Sequence, residues 1–241
     1  MSRPAPDPDA VPVRPAATVI LLRDRPGPAA PTLEVLLVRR DAGLAFHGGS
    51  WVFPGGRIDA DELQAAGGDE AAAARMAAVR EAHEETGLRL SEGGLVPFSH
   101  WTTPKGRNRR FSTWFFIAAA PDGAVTIDDG EIRDYDWFTA AQATARSESG
   151  DIQLAGPTYV SLLRLSAHTS VQAALGDAGP DRYQVFRPRL VTGTDGRAAS
   201  VYEEDAAYES ADLDAPGPRH RMLVRGDSFD YVPYSSATGV D

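Results

Sequence analysis

The chain has no cysteine, no long apolar run and few positive charges, with 24 lysines and arginines against 34 aspartates and glutamates over 241 residues. The missing cysteines exclude disulfides and thiolate metal sites. No run approaches the roughly 18 apolar residues of a membrane-spanning helix. The formal charge of −10 argues against a general nucleic-acid binder, and any anionic ligand then needs local positive charge or a metal. The Pro-rich start, "MSRPAPDPDAVPVRPAA", has no apolar signal core, so residues 1–15 read as a disordered leader. With neither signal nor cysteine, the expected location is the cytoplasm. What is present is a hydrophobic fraction of 42%, enough for a packed core, in a length that suits one domain with appendages or two small ones.

"ATVILLRD" (17–24) and "LEVLLVRR" (33–40) are apolar, β-branched runs that predict two strands. "SWVFPGG" (50–56) reads as a short strand broken by Pro-Gly-Gly, and the polar residues 57–69 read as a loop. From Asp69 the Ala-rich stretch "DEAAAARMAAVREAHEETG" predicts the best helix in the chain, with Asp69 as N-cap and Gly87 just beyond its end. Strands follow at 95–103, 111–120 and 132–139, then helices from about Ala140 and over 157–175, where Leu162, Leu163 and Leu165 face inward. The last 60 or so residues suggest short strands with Gly-Asp turns, a β-rich extension.

The end of the Ala-rich helix, "REAHEETGL" (80–88), carries Glu81, Glu84 and Glu85. Acids are disfavoured there, because the C-terminal end is the negative pole of the helix dipole. At 100° per residue Arg80, Glu84, Glu81 and Glu85 share one side, while Val79, Ala82 and Thr86 form a buried side and His83 sits at the border. Glu81 and Glu85 are a like-charged i,i+4 pair. Arg80 is placed to pair with Glu84, but one arginine cannot balance three acids. A divalent cation can, since clustered carboxylate oxygens suit Mg²⁺ or Mn²⁺.

"FPGG" (53–56), "REAHEETGL" and the flanking strands together resemble the Nudix hydrolase family. The second half of the family's box matches at Arg80, Glu81, Ala82, Glu84, Glu85, Gly87 and Leu88, and the first half at Gly56 and Glu62. Seventeen residues, Leu63 to Val79, stand where the family usually has seven, an insertion of about ten. Ala72 keeps the usual spacing, so Glu62 and Glu70 are both open as the first box acid. The resemblance covers residues 16 to about 170.

It implies an α/β (α+β) fold, an α/β/α sandwich with a mixed central sheet, over residues 16–175, followed by the β-rich C-terminal extension at 176–241. It also implies hydrolysis of a diphosphate, with Glu81, Glu84 and Glu85 holding Mg²⁺ (or Mn²⁺) and Arg80 beside them. Gly55 and Gly56, lacking a Cβ, allow close backbone approach. Glu131, in a loop before Trp137, stands where some family members place a general base; the alternatives are a box glutamate as base and Glu131 as a solvated loop acid. Leu36, Leu37, Arg39, Arg40, Gly49 and Phe53–Gly56 partly fit the signature of the coenzyme A-cleaving subgroup, with Ala45 where that signature has arginine. Lys105, Arg107, Arg109 and Arg110 form a basic loop suited to phosphate or simply solvated, flanked by Trp101 and Phe111, which either stack a base or belong to the core. Coenzyme A or an acyl-CoA is the first substrate expectation. ADP-ribose, a nucleotide sugar or a dinucleoside polyphosphate is the alternative, and a ligand-sensing regulator the rival from another class. The expected partners are a small-molecule diphosphate and, as often in the family, a second copy in a homodimer, with no nucleic acid or membrane.

Overall fold

A computed structural model describes residues 11–235 except 29, 45, 46, 128, 129 and 227. The chain divides into a larger compact unit, residues 15–100 and 113–185, and a smaller one built from 101–112 and 186–235 with 11–14.

The larger unit is organised on a mixed sheet, a few of whose strand-end residues (13–14, 101–102, 110–112 and 186) fall in the smaller unit. Its strands are β1 (Val13–Arg25), β2 (Thr32–Arg40), β3 (Trp51–Val52), β4 (Gly55–Arg57), β5 (Val96–Thr102), β6 (Arg110–Ala119), β7 (Ile132–Phe138) and β8 (Gln184–Phe186). The order is β3-β2-β1-β6-β5-β8, with β4 also paired to β1 and β7 to β2. In β1 every residue from Ala16 to Leu22 is buried, so both faces of this central strand are covered, as its unbroken apolar run requires.

On one face lies α2 (Glu70–Thr86). Ala73, Ala74, Ala77, Ala78 and Ala82 pack with Ala17, Val19, Leu21, Leu36, Phe116 and Ala118. Five alanines in one stripe bring the helix close to the sheet, and that closeness sets where its last turn stands. Asp69 caps α2 by accepting from the Ala71 and Ala72 N–H groups at 2.9 and 3.1 Å. Gly87 ends it in the left-handed region at φ 72°, as a C′ glycine does. The expected α/β architecture is present, and so is the β-rich tail.

Several local expectations change. Residues 57–69 are not a loop: β4 ends at Arg57 and α1 (Ala60–Ala65) follows, started by a capping box of Asp59 and Glu62. The strand expected at 50–56 splits into β3 and β4 around Pro54. The helix expected at 157–175 splits into α4 (Gly156–Leu165) and α5 (Val171–Asp177), preceded by α3 (Ala140–Glu148). Leu162 and Leu165 are buried there, but Leu163 is only half-buried. β1 begins at Val13, inside the stretch expected as leader, whose residues 1–10 lie outside the described part.

The smaller unit holds an antiparallel sheet in the order β12-β11-β10-β9, made of β9 (Arg189–Thr192), β10 (Ala198–Val201), β11 (Arg219–Arg225) and β12 (Ser228–Ser235). A four-residue helix, α6 (Ala207–Ser210), packs on it through Ala207, with Val191, Ala199, Val201 and Leu213 completing the core. Beneath them the buried Asp205 carboxylate takes both Arg221 Nε and Nη2, at 2.7 and 2.6 Å, and the Ala207 and His220 N–H groups. Trp101 lies flat on Phe186, with ring centroids 3.9 Å apart, so it is core here.

Candidate active site

The Arg80 guanidinium organises the last turns of α2. Its Nη1 donates to Glu81 Oε1 at 2.8 Å and to Glu84 Oε2 at 3.0 Å. Its Nε reaches Glu62 Oε1 at 2.9 Å, and its Nη2 reaches the Arg57 carbonyl at 3.0 Å and Glu62 Oε2 at 3.3 Å. Of the two candidate acids, Glu62 is the one bonded to Arg80. Glu70 opens α2, ten residues before Arg80, about 15 Å away along the helix axis. The insertion folds into the end of α1, a turn at Gly67-Gly68 and the first turns of α2, so Glu62 arrives from a separate helix. A sequence signal existed, because Asp59-Ala60-Asp61-Glu62 is a capping-box pattern.

Glu85 departs from the helical-wheel expectation. It is not on an open side but buried, at 6% exposure, with its Oε2 accepting from the Gly55 N–H at 3.0 Å. Burial pushes its carboxyl up to about 8, against the Gly55 hydrogen bond, and the neighbouring Glu81 adds to the rise. Burial likewise raises Glu81, opposed by Arg80. The opposite balance holds at Arg80, where burial disfavours the charge but bonds to Glu62 and Glu81 outweigh it and raise its pKa. His83 is exposed, as its border position implied.

The two glycines allow close approach at this corner. A Cβ on Gly56 would run into the Glu81 carboxylate, and one on Gly55 would meet the Ala17 carbonyl and Thr18. The Thr18 hydroxyl donates to the Pro54 carbonyl at 2.5 Å and the Val19 N–H donates to the same oxygen at 3.0 Å, which holds the Gly55 N–H on Glu85.

From the end of β2, Arg40 reaches the same corner. One of its amino groups donates to Glu131 Oε2 at 3.2 Å, and the other lies 3.9 Å from Glu85 Oε1. Its Nε is buried without a hydrogen-bond partner. The fold thus gathers Arg80, Glu81, Glu84, Glu85, Arg40, Glu131, Gly55 and Gly56 in the larger unit. Lys105, Arg107 and Arg109 are exposed in the smaller unit, where Arg110 is half-buried and its Nε donates to the Thr103 carbonyl at 3.1 Å. Phe111 is half-buried beside them, and Ala45 lies outside the described residues.

Among the described residues no three acids or histidines converge as a ready cation cluster. Glu81 and Glu84 are turned to Arg80, and Glu85 to Gly55. The donor set still fits a hard divalent cation: three carboxylates end one helix, and burial makes two of them, Glu81 and Glu85, hold protons more tightly than usual.

A mixed sheet covered by helices, with an acid-bearing helix end set under a Gly-Gly turn, defines a loop–helix–loop site of the Nudix kind. The NUDIX domain model matches residues 12–155, more than half of the chain, and the chain belongs to that family. A Caenorhabditis elegans protein that carries the name nudix hydrolase 7 is 26% identical over 189 residues, 64% of this chain. The match spans 60% of that relative's length. The crystal structure of a Nudix hydrolase from Alicyclobacillus acidocaldarius shares the fold, with a TM-score of 0.62 at 23% identity over 70% of this chain and 98% of that one. No helix among the described residues is long and apolar enough to cross a membrane.

Proposed function

We propose that the chain is a Mg²⁺-dependent (or Mn²⁺-dependent) hydrolase of a diphosphate linkage, with coenzyme A or an acyl-CoA as its substrate class. The observation that carries the reading is the corner where buried Glu85, Glu81, Glu84 and Arg80 meet the Gly55-Gly56 turn, Arg40 and Glu131.

Glu81, Glu84 and Glu85 hold the cation. When bound, it would supply positive charge for the diphosphate and lower the pKa of a water there. The rest belongs to the chain. Arg80, pinned by Glu62 and the Arg57 carbonyl, keeps the helix end in place and holds the Glu81 and Glu84 carboxylates side by side. The Arg40 Nε–H is a buried donor for a phosphate oxygen. Glu131 takes the proton of the attacking water while the P–O bond to the second phosphate breaks.

The substrate class rests on the upstream pattern Leu36, Leu37, Arg39, Arg40, Gly49 and Phe53–Gly56. Residues 16–175 are taken as the hydrolase domain and 176–241 as an extension, in a cytoplasmic homodimer. Retention of all three helix acids favours turnover over ligand sensing.

The test is a panel of coenzyme A, 3′-dephospho-coenzyme A, ADP-ribose, nucleotide sugars and dinucleoside polyphosphates with Mg²⁺ or Mn²⁺, followed by product identification. Coenzyme A should turn over fastest, giving 4′-phosphopantetheine and adenosine 3′,5′-bisphosphate, and Glu84→Gln should remove turnover while the fold survives. Full activity in that variant overturns the metal assignment. A different preferred diphosphate overturns only the substrate class.

A further inference from the structure

The Glu131 carboxylate is 61% exposed, so packing does not hold it; its place is set by backbone register and polar bonds. That register contains an irregularity. Along the antiparallel pair β2–β7, Arg39 faces Asp134 but Arg40 faces Ile132. One step on β2 thus matches two on β7, and the extra residue is Arg133. Such a bulge bends its strand and re-aims the residues beyond it. Without it, Glu131 would move one place along the ladder and to the opposite face.

The bulged residue is tied down. The Arg133 Nε donates to Asp41 Oδ2 at 2.6 Å. Asp41 is held in turn by the Gly43 N–H, which donates to Oδ1 at 2.8 Å. The Asp41 N–H donates to the Glu131 carbonyl at 2.7 Å. Arg40, the residue before Asp41, donates to the Glu131 carboxylate. Two consecutive residues at the end of β2 therefore grip the Glu131 segment at its backbone, its side chain and its bulge. The Arg133 hydrogen bond also holds the Asp41 carboxyl below its ordinary value, so the pair stays charged over the working pH range. An exposed ion pair contributes little to stability, so its consequence here is geometric.

We propose that Asp41 and Arg133 form a positioning clamp that fixes the Glu131 carboxylate against Arg40, and so governs turnover without touching the substrate. The clamp rests on the reading of Glu131 as the proton acceptor. A displacement of about 1 Å in such a group costs up to about 100-fold in rate. Neither Asp41 nor Arg133 belongs to the box.

The experiment is a double-mutant cycle on the Mg²⁺-loaded full chain, using whichever diphosphate it hydrolyses best. Glu131→Gln should lower kcat by about 10²- to 10⁴-fold. Asp41→Asn and Arg133→Met should each lower kcat by about 10- to 100-fold, with KM changed by no more than about twofold. Arg133→Lys, which keeps the charge and a donor, should recover part of the loss. In the Glu131→Gln background Asp41→Asn should have no further effect beyond about twofold, because no carboxylate remains to be positioned. A merely structural role would give the same loss in both backgrounds, and that result overturns the clamp. Wild-type kcat in Asp41→Asn and Arg133→Met, with Glu131→Gln impaired, also overturns it but leaves Glu131 as the base. Full activity in Glu131→Gln overturns the reading of Glu131 and the clamp together. Should Asp41→Asn fold poorly, Arg133, whose side chain is 49% exposed, carries the same cycle.

Discussion

Replacing Glu62 with glutamine tests whether the inserted segment truly completes the site. Glu62 receives Arg80 Nε at 2.9 Å and Nη2 at 3.3 Å, and its Oε2 also accepts the Asp59 N–H at 2.8 Å. A glutamine keeps the shape, loses the charge and has one acceptor oxygen for these three donors. Each hydrogen bond to a charged group contributes about 1.5–3 kcal/mol. Breaking a buried ion pair costs about 3–5 kcal/mol, an exposed one about 0–1. The Glu62 and Arg80 side chains are 11% and 29% exposed, between those limits. Arg80 also keeps Glu81 and Glu84. The expected loss is therefore about 2 kcal/mol, or about 4–8 °C in Tm for a chain of this size. kcat should fall with it, because Arg80 loses the anchor that faces it from α1. Glu70→Gln is the control: Glu70 is exposed in the first turn of α2, and losing its interaction with the helix dipole costs about 0.3–1 kcal/mol. Thermal unfolding by circular dichroism and steady-state kinetics on both variants decide the matter. If Glu62→Gln matches the wild type in Tm and kcat, or if Glu70→Gln shows the larger loss, Glu62 is not the joining acid.

The two glycines should separate chemistry from stability. Gly56→Ala displaces the Glu81 carboxylate, so kcat should fall by about 10- to 100-fold while Tm changes little. Gly55→Ala presses on the Ala17 and Thr18 backbone and should cost about 1–3 kcal/mol of stability, and equal kinetic and thermal effects in the two variants would contradict the assignment. In the smaller unit, Asp205→Asn leaves the buried Arg221 partly unpaired and should cost about 3–5 kcal/mol, seen as lost hydrogen-exchange protection in β10 and β11. Burial alone would raise the Asp205 carboxyl, but Arg221 and two backbone N–H groups outweigh it and lower it. Its contribution is thus complete above its unfolded value of about 3.9 and lost as pH falls through the lower folded value. The variant should lack this acid limb, and identical acid unfolding in variant and wild type would count against the pair.

The sequence by itself determined the elements whose causes are local. Asp69 and Gly87 bound α2 through their own side chain and φ, and the alanine stripe between them has a period that any reader can count. The apolar runs of β1 and β2 and the acids of "REAHEETGL" are equally local, which is why the family was legible. α1 was missed because its polar residues carry no apolar period; only the Asp59–Glu62 spacing marked it. Tertiary structure decided what depends on distant residues meeting. A helical wheel placed Glu85 with the solvent-facing acids, but Gly55, 30 residues away, buries it and raises its proton affinity. Spacing left Glu62 and Glu70 open, and only the path of α1 brings Glu62 onto Arg80. Arg40 and Glu131 are 91 residues apart, and a one-residue register shift between β2 and β7 lies beside their contact. Burial and register are properties of the assembled sheet, so the residue types were readable from the chain, and the charge states and partners only from the fold.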